Sequence, residues 1–168
     1  MKIKNLKKKF SSYCKVNKLK INNNQISIIE LLIKFYISCF EKSFFDFFKD
    51  KNKKLGFYLF GDVGVGKTML LNFFYENLEI PKQRLHFNEF MIDFHDFSHA
   101  NKKDRKNNII ELFVKKISKQ YKLIYFDEFQ VTNIVDAMIL GKLFETMFDA
   151  DIKIILTSNI KINDLYKD

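Results

Sequence analysis

The sequence of 168 residues predicts an α/β fold in which a parallel sheet is covered by helices on both faces. Three observations carry that expectation. From residue 25 onward, short apolar runs alternate with stretches of helical periodicity. A glycine-rich segment, GDVGVGKT at 61–68, falls between one such run and a helical stretch. A later apolar run ends abruptly in Asp127-Glu128, an acidic pair where a buried strand gives way to a loop.

Taken in order, residues 1–24 are polar, with Lys2, Lys4, Lys7, Lys8 and Lys9 at the start and a capping loop at Asn22, Asn23 and Asn24. From residue 25 to about 48, apolar side chains recur at 29, 32, 33, 36, 40, 44, 47 and 48, the spacing of a long helix. Glu30 and Lys34 add an ion pair one turn apart. Residues 50–54 form a charged turn, and Gly56-Phe57-Tyr58-Leu59-Phe60 reads as a short, fully buried strand. Residues 69–78 are apolar on most sides, as a helix pressed against a sheet would be, and Pro81 closes that unit.

Leu85-His86-Phe87 is a weaker second strand, with Arg84 just ahead of it, and residues 89–97 are helical in pattern. The segment SHANKKDRKNN at 98–108 reads as an exposed loop. Helical spacing resumes over 109–121 through Ile110, Phe113, Val114 and Ile117, and a strand comes next at 123–126. Thr132 is the expected N-cap of a helix at 133–148, whose stripe is Ala137, Leu140, Phe144 and Met147. A last strand at 152–157 leads into Ser158-Asn159. The chain thus has three divisions: a basic segment at 1–24, a leading helix and linker at 25–54, and a nucleotide-binding domain from 55 to 168.

The 61–68 segment has the spacing of a Walker A phosphate-binding loop, two glycines followed at once by Lys and Thr. A loop with little side-chain bulk turns its backbone N–H groups toward phosphate oxygens, and the helix behind it presents its positive end to the same anion. The sequence has only five glycines and three fall here, so a chance match is roughly a one-in-several-hundred event. Gly61, Gly64 and Gly66 keep the loop open, Lys67 reaches the outer phosphates and Thr68 offers its hydroxyl to magnesium. The predicted nucleotide contacts run through Gly61, Asp62, Val63, Gly64, Val65, Gly66, Lys67, Thr68 and Met69.

Asp127 and Glu128 complete the pattern as a Walker B pair. An open α/β sheet places its ligand contacts at the carboxyl ends of its strands, where Asp127 can hold the magnesium shell and Glu128 polarise an attacking water. Asn159, after the last strand, stands where an amide can orient that water against the terminal phosphate; an ordinary turn is the alternative. The expected ligands are therefore ATP and Mg2+, with Glu128, Lys67 and Asn159 catalytic and Thr68 and Asp127 on the metal.

Composition bounds the remainder. Hydrophobic residues at 47% exclude a disordered chain. Charged residues interrupt the most apolar stretch, 26–48, which excludes a membrane span there. Cys14 and Cys39 have neither CxxC spacing nor a histidine cluster, which fits reduced thiols in a cytoplasmic protein. His86, His95 and His99 lack a third ligand of the usual kind, so His86 and His95 are expected to be packed or in contact with a partner. Phe90 and Met91 fit core packing, with a pore lining as the alternative. The net charge of +9 permits nucleic-acid or membrane contact but equally describes solvated lysine faces.

Several blocks in order, GFYLFGDVGVGKTMLLNFFYENL, HFNEFMIDFH, LIYFDEFQVTNIVDAMILGKLFETMF, TSN and DLYKD, resemble the ZapE-type AAA+ ATPases of bacteria and their mitochondrial relatives. The resemblance implies an AAA+ P-loop NTPase in which Lys67 and Thr68 bind nucleotide and magnesium, Asp127 and Glu128 hold metal and act as base, and Asn159 is the first sensor. It also implies ring self-association and partners in the division apparatus or at the inner membrane. A nucleic-acid-associated, loader-type ATPase switch and an inactive nucleotide-binding fragment are the competing expectations. Asn88, Asn133 and residues 160–162 depart from the family pattern at positions away from the phosphate chemistry. Family members continue beyond the DLYKD block into an arginine that reaches a neighbouring nucleotide, a last core strand and a lid. The only arginines here are Arg84 and Arg105, so nucleotide binding with slow or no hydrolysis is expected of these 168 residues alone.

Overall fold

A computed structural model describes residues 3–41, 55–101, 108–131 and 134–165. The chain divides into two compact units, Met1–Phe57 with Gly66–Glu79, and Tyr58–Val65 with Ile80–Asp168.

The first unit is helical. After a 3-10 turn at Ile3–Asn5 come α1 (Leu6–Val16) and α2 (Asn23–Phe40), with α3 (Lys67–Glu76) supplied from beyond the glycine loop. α1 falls in the stretch that reads from sequence as merely polar. Its Leu6, Phe10 and Cys14, each four residues from the last, make a one-sided buried stripe amid lysines. Phe10 and Tyr13 both meet Phe73 of α3 at 5.1 Å between ring centroids, while Ile29, Leu32 and Phe35 are the buried face of α2. The asparagine cap is realised: the Asn22 side chain accepts from the Asn24 N–H at 2.9 Å. The end of the expected leading helix and the charged turn at 50–54 lie outside the described residues.

The second unit is built on a parallel four-stranded sheet. Its strands are β1 (Gly56–Phe60), β2 (Lys82–His86), β3 (Leu123–Asp127) and β4 (Lys153–Ser158), in the order β1-β4-β3-β2. Gly56 and Phe57 of β1 cluster with the first unit. β3 is buried along its whole length, as a central parallel strand must be, and pairs in parallel with both β2 and β4. β1 lies at a sheet edge among the described residues, so only Leu59 is buried and Phe60 is 40% exposed; the expectation of a fully buried strand is corrected.

The helices of this unit are α4 (Phe87–Ala100), α5 (Ile109–Ser118) and α6 (Ile134–Asp149). Phe87, expected to extend a strand, starts α4 instead. The backbone N–H of His86 donates to Glu89 at 3.2 Å, one half of a capping box that turns the chain into a helix at that point. Phe90 and Met91, 2% and 3% exposed, are core: Phe90 sits edge-on to Phe126 at 4.7 Å and tilted against Phe113 at 5.6 Å. The polar segment 98–108 begins as the last turn of α4, and its remainder at 102–107, like the Thr132 cap, lies outside the described residues.

Candidate functional site

The glycine loop leaves β1 and ends where α3 begins at Lys67. Its left-handed backbone at Gly64 (φ 82°) and Gly66 (φ 86°) explains why glycine stands at both positions. Around Gly64 there is open space among the described residues, whereas a side chain at Gly66 would meet Nε2 of Gln25 at 3.2 Å and Cε of Met69 at 3.7 Å. Oε1 of that Gln25 is buried and has no hydrogen-bond partner among the described residues. Gly66 is the N-cap of α3 and has no side chain to satisfy the first-turn N–H groups, the condition under which a helix end receives an anion. Gly66, Lys67, Thr68 and Met69 belong to the first unit, and Gly61, Asp62, Val63, Gly64 and Val65 to the second. Val63 and Val65 are exposed, as are Asp62, Gly64 and Thr68.

Within the second unit the loop's first residue is tied to the neighbouring strand, the Gly61 N–H donating to the Ser158 carbonyl at 3.3 Å. The end of β4 is tied in turn to the segment leaving β3. Phe129 N–H donates to the Thr157 carbonyl at 2.7 Å, and the Ser158 hydroxyl donates to the Phe129 carbonyl at 2.7 Å. Ile160 N–H donates to Ser158 Oγ at 3.0 Å and the Tyr58 hydroxyl to the Ile160 carbonyl at 2.6 Å. The backbone on both sides of exposed Asn159 is thereby fixed at the carboxyl edge of the sheet.

Asp127 is the buried centre of this edge, 4% exposed at the last position of β3. Its Oδ1 accepts from the Thr157 hydroxyl at 2.6 Å and the Tyr125 hydroxyl at 3.1 Å. Its Oδ2 accepts from Nη2 of Arg84 at 2.5 Å. Burial pushes the carboxyl upward, but the hydrogen bonds from Thr157, Arg84 and Tyr125 and the Arg84 charge outweigh it and hold Asp127 below the usual carboxylate range. Burial also raises Tyr125, which stays a hydroxyl donor.

Glu128 differs from its neighbour in every respect. It is exposed, with a left-handed backbone at φ 53° that only a specific local need justifies in a non-glycine residue. Its N–H donates to Thr157 Oγ1 at 3.2 Å, and its carboxylate lies 3.8 Å from Nδ1 of His86. Thr157 thus accepts from the backbone of one acid while donating to the side chain of the other, which orients its hydroxyl.

Sequence reasoning misses Arg84, Thr157 and Tyr125. Arg84, expected ahead of a strand, lies inside β2 opposite Tyr125 in the register. The sequence carries half of the signal: Tyr125 and Asp127 share a face by two-residue alternation, but that Arg84 stands opposite Tyr125 and reaches Asp127 on the diagonal follows only from the strand register. His95, expected to be packed or in contact with a partner, instead meets Asp136 of α6 within the chain at 2.8 Å.

A glycine loop opening onto a helix amino terminus, with an ionised acid at the carboxyl end of a central parallel strand, defines the class: a P-loop NTPase of the AAA+ type. The chain belongs to the AFG1-like ATPase family, whose model matches residues 17–168. It is 41% identical over 122 residues to Lactation elevated protein 1 homolog B of Danio rerio, covering 67% of this chain and 24% of that protein. It is 38% identical over 113 residues to the Cell division protein ZapE of Escherichia coli K12, covering 67% of this chain and 30% of that protein. The chain therefore matches only about a quarter to a third of the length of these relatives. In fold it is similar to the crystal structure of DnaI, with a TM-score of 0.52 and 18% identity over 89% of this chain and 73% of that one. The same holds for PCH-2 of C. elegans, with a TM-score of 0.50 and 18% identity over 86% of this chain and 39% of that one.

Proposed function

We propose that the protein binds ATP with magnesium and, when assembled, hydrolyses it, as a self-associating AAA+ ATPase connected with cell division. The observation that supports this most is Asp127: a buried carboxylate kept ionised by three donors at the carboxyl end of the central strand, in a chain that also carries the left-handed glycines of a phosphate loop. The link to division rests on the similarity to the Escherichia coli protein.

Magnesium fits the donors present. They are hard oxygens, the Thr68 hydroxyl in the first unit and the Asp127 carboxylate in the second, and the ionised Asp127 supplies the negative charge that a divalent cation requires. Bound there, the ion would neutralise charge on the phosphates of ATP.

In this reading the N–H groups of the loop and of the first turn of α3 bind the phosphates, and Lys67 places its ammonium against the outer ones. Thr157 and Tyr125 keep Asp127 oriented and ionised. Glu128, exposed and held by its own N–H to Thr157, orients a water for in-line attack, and Asn159 holds that water against the terminal phosphate.

The test is binding of a fluorescent ATP analogue by the chain together with ATP turnover of the assembled protein. Lys67→Ala is expected to abolish analogue binding. Glu128→Gln is expected to retain binding and lose turnover by about 10²–10⁴-fold. Absence of analogue binding by the unaltered protein, or turnover indifferent to both substitutions, would sink the assignment.

A further inference from the structure

We propose that Arg84 is a positioning residue that serves as the resident counter-cation of Asp127, and that magnesium loading requires its guanidinium to yield Oδ2. Arg84 would then set the magnesium concentration at which nucleotide binding becomes magnesium-supported. The inference rests on the ATPase reading above.

The two oxygens of Asp127 have partners of different kinds. Oδ1 is engaged by two neutral hydroxyls anchored in β3 and β4, Tyr125 at 3.1 Å and Thr157 at 2.6 Å. Neither carries the charge that a buried carboxylate needs as compensation. Among the described residues that charge arrives at Oδ2, from Nη2 of Arg84 at 2.5 Å. Oδ2 is therefore the oxygen with cation character in its surroundings, and a second cation directed to this carboxylate competes for it.

The two partners are unequal in exposure. The Asp127 side chain is 6% exposed and cannot move away from its hydroxyl donors without breaking them. The Arg84 side chain is 34% exposed and rises from β2, which lies at the edge of the described sheet. Its guanidinium also lies over the Tyr125 ring, 5.2 Å from the centroid. When the cations exchange, the arginine is the group that can turn toward water. Arginine suits such a post, since its charge persists at any working pH and its guanidinium is more weakly hydrated than an ammonium.

The test uses the 168-residue protein and a non-hydrolysable fluorescent ATP analogue, titrated with MgCl2 from an EDTA-treated start. Analogue affinity in EDTA is measured for each variant, and thermal unfolding with and without MgCl2 is followed in the absence of nucleotide. Arg84→Gln is expected to lower the half-saturating magnesium about tenfold, the equivalent of 1.4 kcal/mol. It is also expected to enlarge the upward shift in melting temperature produced by magnesium alone. Arg84→Lys, which keeps a charge without the planar fork, is expected to shift the magnesium requirement in the same direction by about threefold.

If Arg84→Gln does not fold, Arg84→Lys decides. An unchanged magnesium requirement in the decisive variant overturns the inference, and a raised one shows instead that Arg84 helps magnesium bind. Failure of the ATPase reading looks different, because the unaltered protein would then bind no analogue in either EDTA or magnesium.

Discussion

Two residues of the glycine loop show how a single atom can decide the local chemistry. At Gly66 the backbone is left-handed, which costs an ordinary residue roughly 1–2 kcal/mol, and a new Cβ would press on Nε2 of Gln25 at 3.2 Å. Gly64 has the same backbone but open surroundings, so Gly64→Ala is expected to lose the backbone contribution alone. Gly66→Ala should lose more, and a double-mutant cycle of Gly66→Ala with Gln25→Ala in urea should show a coupling of about 0.5 kcal/mol or more. Zero coupling would mean that the Gln25 contact is irrelevant.

Cys14, fully buried in α1, has its thiol pushed above the ordinary 9.0 by burial. The sign depends on which state holds the proton. Above pH 9 the unfolded thiol ionises while the folded one does not, so its stabilising contribution is complete below that pH and is lost as pH rises through the folded value. Urea unfolding is expected to show the stability gap between the unaltered protein and Cys14→Ala narrowing from about pH 9 upward. A gap that widens there would refute it.

At the scale of elements, α1 is where expectation and structure part most clearly. Eleven residues, LKKKFSSYCKV, carry three buried side chains at intervals of four, a stripe too narrow to stand out among the lysines. Phe10 is fully buried and meets Phe73 edge-on, so Phe10→Ala is expected to cost about 3–5 kcal/mol in urea unfolding. A cost below about 1 kcal/mol would show that α1 contributes little to its unit. Elements with a dense signal are legible. The run at 56–60 is β1 residue for residue, and LIYFD is buried from end to end because a central parallel strand needs no polar face. The acids and the glycine loop can be read because their chemistry is written in consecutive residues. The partners of Asp127 cannot, since Arg84, Tyr125 and Thr157 meet it through register and alternation across three strands. Phe87 differs for a related reason: an apolar residue after two strand-like ones reads as their continuation, while the signal lies in His86 and Glu89, which start a helix.

At the scale of the whole molecule the open question is what the basic balance does. Lysine and arginine total 29 against 20 acids, and no helix among the described residues is long and apolar enough to cross a membrane. Some of the positive charge is already engaged inside the units: Lys7 with Glu30, Lys142 with Glu145, Lys153 with Asp151, Arg84 with Asp127. A remainder spread over solvated faces makes only diffuse contact with a polyanion, and such contact weakens steeply with salt because released counterions drive it. Binding to random duplex DNA is therefore expected at about 50 mM salt, to fall by about 10³-fold or more at about 200 mM, and to ignore both sequence and nucleotide. Fluorescence anisotropy at the two salt concentrations, with and without the ATP analogue, measures this directly. Affinity that survives the higher salt and changes with the analogue, an effect then lost in Lys67→Ala, would mean that the phosphate loop governs a nucleic-acid surface. The protein would in that case be a nucleotide-controlled switch on DNA, with the division-linked reading displaced.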